Sequence, residues 1–407
     1  MKNLLKSKKI TIISNFDLEN GRGPIFRLIN VLPYINEEVD LHVIVLGEPD
    51  EKSKLVFNES GIQYEILDCQ MDGWFVRNTK NLAKNIVSKV IKKQSMLCVL
   101  EWELWDVAVQ LCDEFEKTEC KFGVVFHSMP FVDATPFPTR YEHDIIVRIQ
   151  NETNKMIRQY LISRKQQAQY YIEKLNVISI NETITYYLKH YFPKKHFYKA
   201  YPGYALDLKQ IQQTAEREKI IREYDFCFMA KLEKSKGIFD LIEIVKEIIV
   251  RKQDSKLLII GNFLYENEEK QIKKKILEYG LEENIVFCGW QTGREKYVKL
   301  QKCKVLLYPS LSGDTFSFCL LEALACGQRA VCYNTPFVRI IYQNAPVKVV
   351  EYQNSKEFAR KALQELKEYK NESEKSSVKF VENNYSNWEK VAMAEVDAYA
   401  RIIENEE

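Results

Sequence analysis

The sequence predicts an α/β protein made of two parallel-sheet domains with helices wound on both faces, and three observations carry that expectation. Short apolar runs alternate with amphipathic helical stretches in both halves of the chain, the pattern of strand, helix, strand units. A length of 407 residues leads to an expectation of two to three domains. A hydrophobic share of 46%, of which aromatics supply 12 points, is enough to fill such cores.

Taken in order, residues 9–14 (Lys-Ile-Thr-Ile-Ile-Ser) read as the first strand. Residues 20–24 form a turn-rich loop containing Gly21 and Gly23, and a helix follows near 25–32. Further strands fall at 41–46, 96–100 and 121–126, the last running into His127. Between them, residues 77–93 place Leu82, Ile86 and Val90 on one arc of a helix and Lys80, Lys84, Lys92 and Lys93 on another. A basic amphipathic helix of this kind can lie on an anionic membrane surface, and an ordinary surface helix packed on a sheet has the same pattern. A strand at 177–180 closes the first half, and residues 201–207 (Tyr-Pro-Gly-Tyr-Ala-Leu-Asp) read as the link. The second sheet runs from about 224 to 341, followed by a helical tail to 403. The expected domains are 1–203, 204–380 and a closing segment 381–407.

Composition excludes several classes. The charge of +2, from 59 basic and 57 acidic residues, leaves no global footprint for nucleic acid. Ten cysteines are scattered without a C-x-x-C pair or a metal-like cluster with histidine, so reduced thiols in a cytoplasmic protein are expected, with no metal. No run of ~20 apolar residues exists to span a bilayer, and the apolar core of the N-terminus is too short for a signal peptide.

The most telling stretch for chemistry is residues 305–333. An apolar strand (Val305-Leu-Leu-Tyr-Pro309) leads through a loop with Asp314 into a helix carrying Glu322, then to a second apolar strand at 329–333. A helix start that follows a buried strand binds anions, because its first N–H groups are unpaired and the dipole is positive there. Two carboxylates beside an anion site are electrostatically wasteful unless they hold neutral hydroxyls, which points to a nucleotide-sugar. The plainer alternative makes Asp314 a helix cap and leaves Glu322 on a solvated face.

At these residues the chain resembles retaining glycosyltransferases of family 4, which have the GT-B fold: two Rossmann-like domains facing a cleft, with a C-terminal helix crossing back to the first. Pro309, Ser310, Phe316, Glu322, Ala323, Ala325, Gly327 and Val331 match the family's two-acid segment, while Asp314 stands for a Glu and Thr315 and Ser317 stand for glycines. Upstream, residues 226–237 resemble the segment whose Arg and Lys bind the donor diphosphate. There Lys231 replaces the Arg, and Lys236 and Gly237 match. Residues 279–290 resemble the base-binding strand, implying base contacts around Gly289 and Trp290. Gly21 and Gly23 resemble the glycine loop that approaches the donor phosphate, and His127 resembles the histidine that touches the transferred sugar.

What the resemblance implies is transfer of a sugar from a UDP- or GDP-sugar to a hydroxyl of a glycan or lipid-linked glycan, with retention at the anomeric carbon and no cofactor or metal required. Lys231, Lys236 and the helix start at Thr315, Phe316, Ser317 and Phe318 would stabilise the leaving diphosphate, which gains charge as the bond breaks. Asp314 would hold donor-sugar hydroxyls, Glu322 the ribose, and His127 the transferred sugar. Residues 77–93 would offer a peripheral contact to anionic membrane. The four exchanges at the donor site leave two alternatives open: a lapsed glycosyltransferase that binds glycan or a partner enzyme, and a GT-B-fold sugar-nucleotide epimerase.

Overall fold

The computed structural model describes residues 5–16, 23–69, 71–72, 75–101, 104–127, 153–218, 220–311 and 314–405. The chain forms two compact units: residues 1–205 with 387–407, and residues 206–386. Residues 381–386 therefore stand with the second unit, not with the closing segment expected for them.

The first unit is built on a parallel sheet whose order is β3 (Gln63–Leu67), β2 (Asp40–Leu46), β1 (Lys9–Ser14), β6 (Leu97–Glu101), β7 (Lys121–Phe126), β8 (Asn176–Ser179) and β9 (Tyr198–Lys199). A small antiparallel pair, β4 (Met71–Asp72) and β5 (Phe75–Val76), lies outside it. The central strands are mostly apolar because both faces are covered, and Ile12, Val43, Val99 and Val124 have no exposed surface. The helix expected near 25–32 runs further, as Gly23–Glu38, so Gly23 is its first residue. The last helix, Trp388–Glu404, packs within this unit through Val391, Ala392, Val396, Ala398, Tyr399 and Ile402. Its Trp388 ring meets Phe26 edge-on at 5.9 Å.

The second unit repeats the scheme with six parallel strands in the order β12 (Ile285–Phe287), β11 (Leu257–Ile260), β10 (Tyr224–Met229), β13 (Cys303–Tyr308), β14 (Arg329–Tyr333) and β15 (Val347–Val350). Its core joins strand residues Cys227, Leu258, Leu306 and Cys332 to helix residues Leu320, Leu321 and Leu324. Thiols buried there, such as Cys332, have their pKa pushed up by burial and behave as small hydrophobes.

In both sheets the strand order reverses beside the first strand, between β1 and β6 and between β10 and β13. Ligands of open parallel sheets sit beyond the carboxyl ends of the strands at that reversal, because the loops there part to opposite faces. Each unit thus has one position where its fold favours a site.

Candidate functional site

In the second unit the reversal is flanked by the loops after β10 and β13, and sequence brings them into contact. Gly237 has φ of +82°, and a Cβ there would lie 1.9 Å from the carbonyl oxygen of Pro309, so only glycine fits. The Leu311 N–H donates to the Ser235 carbonyl at 3.1 Å. A short 3-10 turn, Lys234–Lys236, then opens the helix Ile238–Arg251. This close approach places the Lys236 ammonium 2.8 Å from each oxygen of Asp314. The two side chains remain about a quarter exposed, at 25% and 24%. Burial works against the ammonium, yet the Asp314 carboxylate outweighs it and raises the Lys236 pKa. The Tyr308 hydroxyl donates to the same carboxylate at 3.4 Å.

Asp314 is not a helix cap. The helix Phe318–Ala325 is capped by Ser317, whose Oγ accepts from the Leu320 N–H at 3.2 Å. The Ser317 carbonyl accepts from the Tyr342 hydroxyl at 2.8 Å, and the Phe316 ring packs on Phe318, Tyr342 and Tyr385. Thr315 and Ser317 are buried. Ser317 therefore fastens the loop to the helix it opens and to Tyr342. Any anion contact in this turn falls to main-chain N–H groups at the helix start.

Glu322, one turn inside that helix, is 8% exposed and so is not on a solvated face. Its Oε1 lies 2.5 Å from Lys296 Nζ, on the helix Gly293–Gln301. The neighbouring Tyr297 phenol also bonds to Glu322, and burial followed by the Glu322 charge raises its pKa. Lys296 is the residue of this region that motif matching leaves out. Its signal is weak: a lysine one turn inside the helix that follows the Gly289-Trp290 turn. Lys231 is exposed and has no ion-pair partner among the described residues. Gly289, at φ +73°, and Trp290 are tied to the end of β11, where the Gly261 N–H donates to the Gly289 carbonyl at 2.9 Å and the Trp290 N–H to Asn262 Oδ1 at 3.0 Å. Trp290 is 53% exposed.

In the first unit the reversal is flanked by β1 and β6. Gly21 lies outside the described residues. At the end of β6 stands Glu101, and its carboxylate bonds to Nε2 of His127, which directly follows β7. Around this pair gather Arg27 and the last helix. Arg27 Nη2 donates to Glu395, Arg27 Nε donates to the Gly203 carbonyl at 2.8 Å, and Arg27 Nη1 is 3.8 Å from Glu101 Oε1. The Tyr399 hydroxyl donates to Glu395 as well. Arg27 and Glu395 have no exposed surface, Glu101 has 1% and His127 6%. Burial pushes the Glu101 carboxyl up to about 8, with Arg27 pulling it down and Glu395 pushing it further up. Burial likewise opposes the Arg27 charge, but Glu395 and Glu101 outweigh it and its pKa rises. A carboxylate closing the otherwise apolar strand Leu97–Glu101 is the one sequence signal for this cluster; nothing in the patterning marks Arg27 or Glu395.

The basic helix, Thr79–Lys92, buries Leu82, Ala83, Ile86, Val87 and Val90. Its apolar arc is thus spent on its own unit, and insertion of that arc into a bilayer is ruled out in this fold. Lys80, Lys84, Lys92 and Lys93 stay exposed, and Lys89 is held by Glu65 at 2.6 Å. Among the described residues no helix is long and apolar enough to cross a membrane.

Comparison with known proteins fits this geometry. Residues 210–387 match the family model described as glycosyl transferases group 1. An uncharacterized glycosyltransferase of Methanocaldococcus jannaschii, MJ1069, is 24% identical over 214 residues, 51% of this chain and 50% of that protein, so the chain spans about half the length of this curated relative. Among solved structures, a glycosyltransferase from Rickettsia africae superposes with a TM-score of 0.68 at 14% identity, over 98% of this chain and 99% of that one. Anabaena HepE in complex with UDP gives 0.69 at 12% identity, over 97% and 99%. The sucrose-phosphate synthase of Thermosynechococcus elongatus gives 0.69 at 14%, over 98% and 100%. The chain has the GT-B fold, and over residues 210–387 it is similar to glycosyl transferases group 1.

Proposed function

We propose that the protein is a glycosyltransferase that moves a sugar from a nucleotide-sugar to a hydroxyl of a glycan or lipid-linked glycan, with retention at the anomeric carbon. The observation that carries this reading is the meeting of Lys236 and Asp314 beside the start of the helix Phe318–Ala325, at the strand reversal of the unit that matches the family model. A diphosphate leaving group gains charge as the glycosidic bond breaks, so a lysine and a helix N-terminus held in advance at its position stabilise the transition state more than the ground state. Lys236 is the principal cation in this reading, with Lys231 as a second, more loosely held charge. Donor binding draws the Lys236 ammonium toward the phosphates and frees Asp314 for sugar hydroxyls. Glu322 takes the ribose in exchange for Lys296, main chain around Gly289 and Trp290 takes the base, and His127 is assigned to the transferred sugar. Gly23 keeps a role at the phosphate as the first residue of its helix, and Gly21 keeps its assignment from the resemblance.

The Anabaena relative is known with UDP and with UDP-glucose, which makes UDP the first nucleotide to try. Incubation with UDP-, GDP- and ADP-sugars, followed by NMR of released nucleoside diphosphate and of the sugar's anomeric configuration, tests the proposal. Slow release of UDP with the α-anomer retained in the first-formed product is the expected result. No release from any donor, or conversion of one nucleotide-sugar to its epimer, would overturn it. A contact with anionic membrane, if the acceptor is lipid-linked, rests on the exposed lysines of residues 77–93 and is electrostatic.

A further inference from the structure

We infer that Glu101 and His127 share one extra proton, and that this makes Nδ1 of His127 a hydrogen-bond donor, with Glu101 as its positioning residue. The described groups that face the pair are Arg27 from the helix Gly23–Glu38, Glu395 and Tyr399 from the helix Trp388–Glu404, and the Tyr204 ring, whose centroid is 6.5 Å from that of His127. Arg27 is always charged, and its one positive charge is matched by Glu395, which it touches. Glu101, 1% exposed, is then a second carboxylate for which no further cation stands among these groups. An unmatched buried carboxylate is costly, and the ordinary response is to take up a proton.

That proton has two resting places, and they agree on the histidine. On Glu101, the carboxylic acid donates to Nε2, so a neutral imidazole must carry its hydrogen on Nδ1. On His127, the imidazolium carries hydrogens on both nitrogens and donates Nε2–H to the carboxylate. In either case Nδ1 bears a hydrogen. Without the extra proton Glu101 would accept Nε2–H and Nδ1 would be a bare acceptor. The upward push on Glu101 from burial and Glu395 runs in the same direction. The consequence for catalysis rests on the glycosyltransferase reading: His127 offers the transferred sugar a donor, directed at a hydroxyl or carbonyl oxygen, and does not accept a hydroxyl proton.

The proton state can be read without any substrate. In the full chain labelled with 15N-histidine, two-bond 1H–15N correlation between pH 6 and 9 reports both ring nitrogens, and His127→Gln assigns the signal among the five histidines. Nδ1 of His127 is expected to be protonated at pH 7 and to lose its hydrogen only near or above pH 8. Glu395→Gln leaves Arg27 to match Glu101, so the loss should fall by about 1–3 pH units. Glu101→Gln should return His127 to an ordinary titration, with Glu101→Asp retaining the high one. A bare Nδ1 at pH 7 in the unaltered protein overturns the inference, as does a titration that neither Glu395→Gln nor Glu101→Gln moves. The unaltered protein decides the matter even if a variant fails to fold. Should Nδ1 prove protonated while no nucleotide-sugar is consumed, the shared proton stands and the enzymatic reading fails.

Discussion

The two units place carboxylates at the same point of the same sheet plan and treat them in opposite ways. In the second unit each acid has its own lysine, Asp314 with Lys236 and Glu322 with Lys296, and the Lys236 pair stays a quarter exposed. In the first unit two acids share one arginine with no water contact. A one-to-one pair that water can reach is cheap to open, because each charge is resolvated as the partner leaves. A dry cluster is not: removal of a member leaves a charge with nothing to answer it. The first arrangement suits groups that exchange partners when a ligand arrives. The second suits a frame that holds one imidazole still.

The largest effect should therefore come from breaking the dry cluster. Arg27→Ala strands Glu395, the carboxylate it touches, and is expected to cost about 3–5 kcal/mol of stability, read as a fall in the urea midpoint. A loss under 1 kcal/mol would mean that water or another cation reaches the cluster. The pH dependence follows from Glu101. Its folded pKa of about 8 lies above the unfolded value of about 4.3, so the folded protein holds this proton more tightly. The stability it contributes is fully present below about pH 4 and is lost as pH rises through 8, at up to roughly 1.4 kcal/mol per pH unit. Glu101→Gln should flatten that slope between pH 5 and 8, and an unchanged slope would assign it to other groups.

Next in size is Lys236→Ala. On the proposed reading it removes a charge felt mainly as the leaving group departs, so turnover should fall on the order of 100-fold with little change in the Michaelis constant. Lys231→Ala should cost less, since that lysine is exposed and unfixed, and Lys231→Arg should raise activity by supplying a bidentate fork. A normal rate for Lys236→Ala would break the comparison, because the exchangeable pair would then have nothing to exchange with.

Much of this was legible from sequence where local pattern decides. The buried strands, the glycine at 237 and the loop with Asp314 follow from apolar runs and from backbone that admits no Cβ. The partners were not legible. Nothing local says that Lys296 meets Glu322, 26 residues on, or that Arg27 meets Glu395, 368 residues away. Such pairs are made by helices far apart in the chain that pack side by side on one sheet. The same limit explains the two readings of residues 77–93. Amphipathic spacing identifies a helix with an apolar side, and only the packed unit shows what covers that side.

A smaller effect is expected at Glu322. Glu322→Gln keeps the shape and a hydrogen-bond acceptor but drops the charge, so the fold should hold while nucleoside diphosphate binding weakens about 10-fold, near 1.4 kcal/mol. Lys296→Met tests the exchange from the other side. If Lys296 merely occupies Glu322 until the ribose arrives, its loss should leave affinity equal or tighter. Equal loss of affinity in both variants by calorimetry would instead make the pair a fixed binding element, like the cluster of the first unit.

The smallest expected effect concerns the lysines of residues 77–93, and it separates two kinds of membrane contact. With Leu82, Ile86 and Val90 buried in the unit, the helix has no apolar side to insert. What remains is charge: Lys80, Lys84, Lys92 and Lys93 face solvent, and each lysine near an anionic surface contributes about 1 kcal/mol. Contact of this kind should appear as co-sedimentation with phosphatidylserine-rich vesicles at low salt. It should fade toward 1 M salt, where screening acts over about 3 Å. The triple variant Lys84→Glu, Lys92→Glu, Lys93→Glu should abolish it without lowering stability, because none of the three belongs to the packed face. Sedimentation that survives both high salt and the triple variant would place the membrane contact elsewhere on the molecule, and on apolar surface.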